Sequence, residues 1–208
     1  MSALRRLCNK AKREGIVIEE RLLEDMDFDK LHHLNTGWVN LRGGKERRLL
    51  TRPFPTANET DVRCFWAFLG NALVGGIIFD PIYSSGSPVG YYQNFVRYSA
   101  SAPHGTTDQI TWTALSVFKR AGIKRMSFGL SPFENIEDHT RAAVFSNNKL
   151  LARLFRILHS HCNWIYPFQG NAFYRRRYRP TPQKSYVGAC EGGSLRELLS
   201  VFRHLELI

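Results

Sequence analysis

A mixed α/β layer, one sheet with helices on its faces, is the fold class that three observations in this sequence predict. Apolar runs rich in aromatic and β-branched residues follow one another at 62–69, 72–80 and 90–98. Helical periodicity and strand patterns then alternate through the second half. The chain of 208 residues, 43% hydrophobic and 12% aromatic, is long enough to bury one sizeable core and short for two ordinary domains. A single domain over 1–208 with a mostly antiparallel central sheet is the expectation.

Residues 2–14 read as a basic helix, because Leu4, Leu7 and Ala11 fall at helical spacing and Gly15 ends the run. Ile16 to Glu20 alternates like a short strand. Leu23, Met26, Leu31, Leu34 and Trp38 make a second helical pattern over 23–40, and RGGKE at 42–46 follows as a loop. VRCFWAFL (62–69) and ALVGGIIFD (72–80) flank Gly70-Asn71, which reads as a tight hairpin. PIYSSGSPVG reads as a loop and GYYQNFVRY (90–98) as a third strand. A helix over 107–121, a strand over 123–129, a long helix over 140–161, a strand near 184–189 and a closing helix over 194–205 complete the pattern.

The formal net charge is +11. Such a balance suits a polyanionic partner: nucleic acid, an anionic membrane surface or a phosphorylated substrate. Cys8, Cys64, Cys162 and Cys190 are scattered without a CxxC pair, as in a cytosolic protein with reduced thiols. No segment reaches the roughly 18 continuous apolar residues of a membrane span. The first residues, MSALRRLCNKAKREG, lack the apolar stretch of a secretory signal. Work on a membrane would therefore be done from its surface.

Three stretches carry chemistry. RYSASAPHGTTDQITW (97–112) runs from a strand through a Gly105 turn into a helix. Its Thr106, Thr107 and Asp108 suit side-chain capping of the first free amides. They equally suit a helix start facing a substrate anion, with Asp108 as an acid/base or amine-binding group. SFGLSPFENIE (127–137) breaks a strand with Gly129 and Pro132, either as a plain connection or as the kind of opening where ligands sit. FQGNAFYRRRYRP (168–180) is a basic segment; as a helix, 170–178 puts Phe173 and Arg177 on one side, Tyr174 and Tyr178 on another, with Arg175 and Arg179 between. Its tyrosines can bury while its arginines reach phosphates or stack on bases. HSHC (159–162) puts its two histidines on different faces of a helix, so it is not read as a metal site. No GxGxxG, P-loop, GxSxG or HExxH motif occurs, and no cysteine has a local nucleophile signature, so covalent-nucleophile catalysis is not supported.

Taken in order, these blocks resemble one family. SAPHGTTDQITWTALSVFKRAGIKRMSFGLSPF looks like a pattern of an arginine, P-x-G-x-x-D, a helix and S-L-G-x-(A/S)-P-L. IYPFQGNAFYRRRYRP resembles Y-x-F-x-G-L-x-x-F-K-x-K-F-x-P, and LRRLCNKAKREG resembles the helix that opens the second half of the catalytic region. The family is the phosphatidylglycerol lysyltransferase catalytic domain, the soluble part of enzymes of the multiple peptide resistance factor type. The resemblance implies a GNAT-like acyltransferase fold of the Fem type. It implies transfer of an aminoacyl group from aminoacyl-tRNA to a hydroxyl or amine acceptor, such as a phosphatidylglycerol headgroup or a small metabolite, without a cofactor.

Carried onto this chain, the resemblance implies Asp108 and Arg97 as the catalytic pair, with Asp108 holding the donor's α-amino group or assisting proton transfer. His104, Gly105 and Thr107 would contact substrate at the turn. Gly129, Ser131 and Pro132 would shape the pocket floor, and Tyr166, Phe168 and Gly170 would lead into the basic helix. There Tyr174, Arg175 and Arg177 would bind the terminal phosphate of tRNA or the lipid phosphate. Arg175 and Arg177 stand where the family has lysines, Asn171 and Phe133 where it has leucines. The catalytic region of the family has two GNAT-like halves and this chain matches the second, so a homodimer or a partner would replace the first. The implied place of work is the cytoplasm, at the membrane surface. An aminoacyl ester is already activated, so positioning, proton removal and oxyanion stabilisation suffice. Two rivals remain on the same fold. An acyl-CoA-dependent N-acyltransferase would want a glycine-rich pyrophosphate loop, where PHGTT offers one glycine. A non-catalytic basic RNA- or membrane-binding module would be indifferent to Asp108→Asn.

Overall fold

The computed structural model describes residues 2–44, 52–134, 149–162 and 167–185, together with Arg196, Glu197, Ser200 and Arg203. It divides into two compact units, Met1–Gly129 and Leu130–Ile208.

The first unit contains α1 (Ser2–Arg13), β1 (Ile16–Glu20), α2 (Phe28–Leu41), β2 (Arg63–Leu69), β3 (Ala72–Ser84), β4 (Ser87–Tyr98), α3 (Thr106–Arg120) and β5 (Arg125–Ser127). The five strands lie in the order β1-β2-β3-β4-β5. Strands β1 to β4 pair antiparallel, and β5 joins β4 in parallel, as the α3 crossover requires. This is the mixed, mostly antiparallel sheet the sequence predicts.

Each sheet face buries its own core. On one, Ala11 of α1 and Ile110, Ala114 and Phe118 of α3 pack with Phe65, Ile77, Phe79 and Tyr91. On the other, Leu31 of α2 packs with Trp66, Ile78 and Phe95. A β-bulge in β4 decides which residue serves which face. Phe79 pairs with Gln93 and Ile78 with Phe95, so Asn94 is the extra residue. Before it, Tyr91 faces the α3 core; after it, Phe95 faces the α2 core and Val96 takes up the α3 side. Asn94 Nδ2 donates to Asp80 Oδ2 at 2.6 Å, and Asp80 is paired with Arg52.

Several boundaries differ from the sequence reading. The helix expected over 23–40 begins at Phe28, because Asp27 Oδ1 accepts from the amides of Asp29 and Lys30 (3.0 and 3.3 Å) and so caps it. PIYSSGSPVG is mostly strand: β3 runs to Ser84, β4 starts at Ser87, and only Ser85-Gly86 turns, with positive φ at both residues (51° and 78°). The fifth strand is three residues long, shorter than 123–129. Residues 42–44 turn as expected, whereas 45–46 lie outside the described residues. The same holds for 140–148 of the long helix, for 186–189 of the strand near 184–189, where 184–185 are not strand, and for most of the closing helix, of which Arg196, Glu197, Ser200 and Arg203 are helical.

The second unit contains α4 (Lys149–His161) and α5 (Phe168–Arg176). Its aromatic nucleus is Phe133 stacked on Phe155 (4.4 Å, 10°), with Phe168 at 5.7 Å from Phe133.

Cys8 and Cys64 are buried and form no disulfide, and burial pushes the Cys64 thiol up to about 12. Gly105 precedes α3 at φ 98°, and a Cβ there would lie 2.5 Å from the carbonyl oxygen of Leu7 in α1. Substituting Gly105→Ala therefore costs both left-handed backbone strain and a collision with helix backbone. It is expected to lower the unfolding free energy by about 2–4 kcal/mol, read by chemical denaturation.

Candidate functional site

Among the described residues, six polar or charged side chains are buried: Gln93, Arg97, Thr106, Asp108, Gln109 and Thr111. All fall on the second half of β4 and the first turns of α3. Burying polar groups costs free energy unless they are satisfied, so such a concentration marks a place where chemistry outweighs packing. The sheet opens at the same place. β5 pairs with β4 only from Gly90 to Tyr92, and among the described residues nothing pairs with β4 on that side from there to Tyr98. The parallel strands thus part at the carboxyl end of β5, the side on which α/β sheets place ligands.

Arg97 is 0% exposed. Its guanidinium lies 4.0 Å from the ring centroids of both Trp38 and Phe95. Its Nε donates to Asn35 Oδ1 at 2.7 Å and its Nη1 to the Val96 carbonyl at 3.2 Å. Trp38 was read only as an apolar position of the second helical pattern, and Asn35 went unnoticed; their i, i+3 spacing puts them on one face of α2, which was the available signal. Asp108 sits in the first turn of α3 and is 2% exposed. The elements that hold these two residues cover opposite faces of the sheet.

Capping of α3 differs from the side-chain capping the sequence suggests. The N-cap is Gly105, which has no side chain to offer, and the Thr106 hydroxyl turns back to donate to the Pro103 carbonyl at 2.7 Å. Gly105 is buried against α1, Thr107 is half-buried and His104 is exposed. Gly129 (φ 77°) passes directly over Tyr92: a Cβ there would sit 2.6 Å from the ring. Only glycine closes the mouth between β4 and the end of β5 this tightly.

In the second unit, α5 addresses the 130–134 segment. Arg175 Nη1 donates to the Leu130 carbonyl and, at 2.9 Å, to Ser131 Oγ. Arg176 Nε donates to Glu134 Oε1 at 2.7 Å. Partial burial pushes the Glu134 carboxyl up, but hydrogen bonds from Arg176 and Ser131 outweigh it and hold the group below the usual glutamate range. Arg177 lies over Phe173 and Tyr174 (5.5 and 5.1 Å), with Tyr178 against Tyr174 at 5.4 Å. Phe168 is buried, Gly170 exposed, and Ser131, Pro132 and Tyr174 half-buried, whereas Tyr166 lies outside the described residues. Arg176 and Glu134 are further participants that sequence reasoning missed. Among the described residues no group of three metal-ligating side chains converges, and no helix is long and apolar enough to cross a membrane.

A mostly antiparallel five-stranded sheet flanked by helices, whose parallel pair β4 and β5 parts at its carboxyl end, is the GNAT-like fold. The model of one family matches residues 1–189, and the chain belongs to that family, phosphatidylglycerol lysyltransferase, C-terminal. Its solved likenesses include L-PGS from Bacillus licheniformis, 18% identical with a TM-score of 0.60, over 86% of this chain and 52% of that one. Another is the C-terminal domain of a putative lysylphosphatidylglycerol synthetase from Agrobacterium fabrum, 17% identical with a TM-score of 0.50, over 74% and 50%. The chain thus spans about half the length of these structures. No curated protein matches it significantly.

Glu134 provides a direct check on the α5 contacts. Its folded-state pKa is depressed, so the stabilisation from its pairing with Arg176 is present above the ordinary glutamate range and lost as pH falls through the lowered value. Arg176→Gln is expected to raise the Glu134 titration midpoint towards the ordinary range, followed by carbon-detected NMR of the carboxyl group.

Proposed function

We propose that this chain is an aminoacyltransferase acting on aminoacyl-tRNA, with the hydroxyl of an anionic phospholipid headgroup, phosphatidylglycerol above all, as acceptor. The observation that carries the reading is the buried polar cluster from Gln93 to Thr111, in a chain whose family is a phosphatidylglycerol lysyltransferase family. The acceptor hydroxyl oxygen attacks the ester carbonyl carbon. A new carbon–oxygen bond forms, the bond to the terminal ribose oxygen breaks, and the acceptor's proton ends on the ribose hydroxyl. No electrons change hands and no cofactor is needed.

Asp108 is the group we assign to the donor's α-ammonium, a cation that a buried carboxylate at a helix start accepts at short range. Arg97 stands on the opposite, α2 face of the sheet from Asp108, so in this reading its positive charge acts on the developing oxyanion only through its field and not by contact. A net charge of +11 suits both a polyanionic donor and an anionic lipid surface, and it supports work at the cytoplasmic face of a membrane in this reading. In this reading a second copy or another protein contributes to the donor and acceptor surfaces.

The test charges total tRNA with labelled amino acids, adds the protein with phosphatidylglycerol vesicles, and extracts with organic solvent. Label is expected in the organic phase. Asp108→Asn is expected to reduce the rate roughly 10²–10⁴-fold with an unchanged melting temperature. Label moving to a water-soluble product keeps the donor and replaces the acceptor. Label that stays on tRNA at every protein concentration overturns the proposal.

A further inference from the structure

We infer that Trp38, Arg42 and Tyr98 form a binding site for a phosphate group, beside Arg97 and outside the residues assigned above to transfer. Among the described residues, Trp38 Nε1 is buried and has no hydrogen-bond acceptor. Buried indole N–H groups almost always find a partner, and an orphan costs stability. The ring that carries this N–H is addressed by two guanidiniums, Arg97 at 4.0 Å and Arg42 at 5.2 Å. Arg42 is exposed and makes no ion pair among the described residues. It donates instead to the Tyr98 hydroxyl at 3.1 Å, which leaves the phenolic proton to be donated onward. An indole N–H, a guanidinium and a phenol O–H thus gather at the last turn of α2 and the end of β4. The carboxylates of α2 and its cap, Asp27 and Asp29, stand at the opposite end of the helix.

A surplus of donors beside paired positive charges is what an oxyanion needs. The fork of a guanidinium with two neutral donors suits a tetrahedral phosphate, whose oxygens face in several directions, better than a planar carboxylate. A rival account exists for Arg42, which as the C-cap residue of α2 complements the carbonyl end of that helix. That role predicts lost stability without any effect on phosphate. Phosphate binding itself does not depend on the proposed transfer reaction; that the phosphate is the acceptor lipid's rests on that reading.

The experiment titrates inorganic phosphate and sn-glycerol 3-phosphate into the chain by calorimetry, in phosphate-free buffer. Wild type, Arg42→Gln, Trp38→Phe and a control at exposed Arg120, Arg120→Gln, are compared. Saturable binding is expected in wild type and in the control, weakened at least tenfold in the other two. Trp38→Phe should also hold or raise the ligand-free melting temperature, since it removes the orphan donor. Non-saturable heats in wild type, equal affinity in all four, or an equal loss in the control would overturn the site. A parallel arm measures binding to phosphatidylglycerol against phosphatidylcholine vesicles. Loss of the phosphatidylglycerol preference in Arg42→Gln and Trp38→Phe assigns the phosphate to the lipid headgroup, and its retention assigns the site to a free phosphate compound. Transfer that fails while phosphate still binds sinks only the proposed function; transfer that succeeds without phosphate binding sinks only this inference.

Discussion

One extra residue in β4 governs the arrangement of the first unit. Side chains of a strand alternate, so Tyr91, Gln93, Phe95 and Arg97 would all face one way in a regular strand. The bulge at Asn94 breaks that phase and sends Phe95 and Arg97 to the α2 face. A guanidinium buried there is costly unless every side of it is answered. The answer comes from α2: Asn35 takes the Nε proton, Trp38 covers one face, and Phe95 of β4 itself covers the other. The bulge is in turn pinned by Asn94 on Asp80 and by Arg52 on Asp80. The placement of α2 and the burial of a cation next to the opening of the sheet follow from that one insertion.

The second constraint is the crossover. A parallel partner for β4 demands a helical connection, and α3 has to begin directly after the strand. Gly105 makes this start compatible with α1, whose backbone at Leu7 occupies the space a Cβ would take. The first turn of α3 is therefore fixed from outside by α1, and Asp108 is buried in that turn without a side chain at the N-cap. A helix start held by packing rather than by a capping hydroxyl leaves Thr106 free to fasten the preceding turn at Pro103.

These facts explain what was legible in the sequence. The strands of the central sheet and α3 were readable because each carries its own periodicity and turn residues. The α2 boundary was misread because Leu23 and Met26 are apolar at helical spacing, yet they serve the α2-side core from a turn. PIYSSGSPVG looked like a loop by composition, although two residues with positive φ are all the hairpin requires. The bulge left no signal in GYYQNFVRY, since its cause is a long-range hydrogen bond to Asp80. Asp108 was legible as a carboxylate in the first turn of a helix, whereas Arg97 was nameable only through motif resemblance. The role of Asn35 and Trp38 was invisible because it lies in a partner 59 or more residues away.

The arginine run at 175–177 shows why composition could not choose between a nucleic-acid patch and a structural clamp. Guanidiniums suit phosphates and main-chain carbonyls by the same fork of N–H donors. In the folded unit, Arg175 spends part of that fork on Leu130 and Ser131, Arg176 pairs with Glu134, and Arg177 stacks over α5's own aromatics. Where the pattern this stretch resembles has lysine, a point charge with three donors, this chain has at 175 a planar group that holds a carbonyl and a hydroxyl together. The substitution converts a position suited to a free cation into one that also shapes the segment after Gly129, so any anion it binds meets a guanidinium already oriented by that segment.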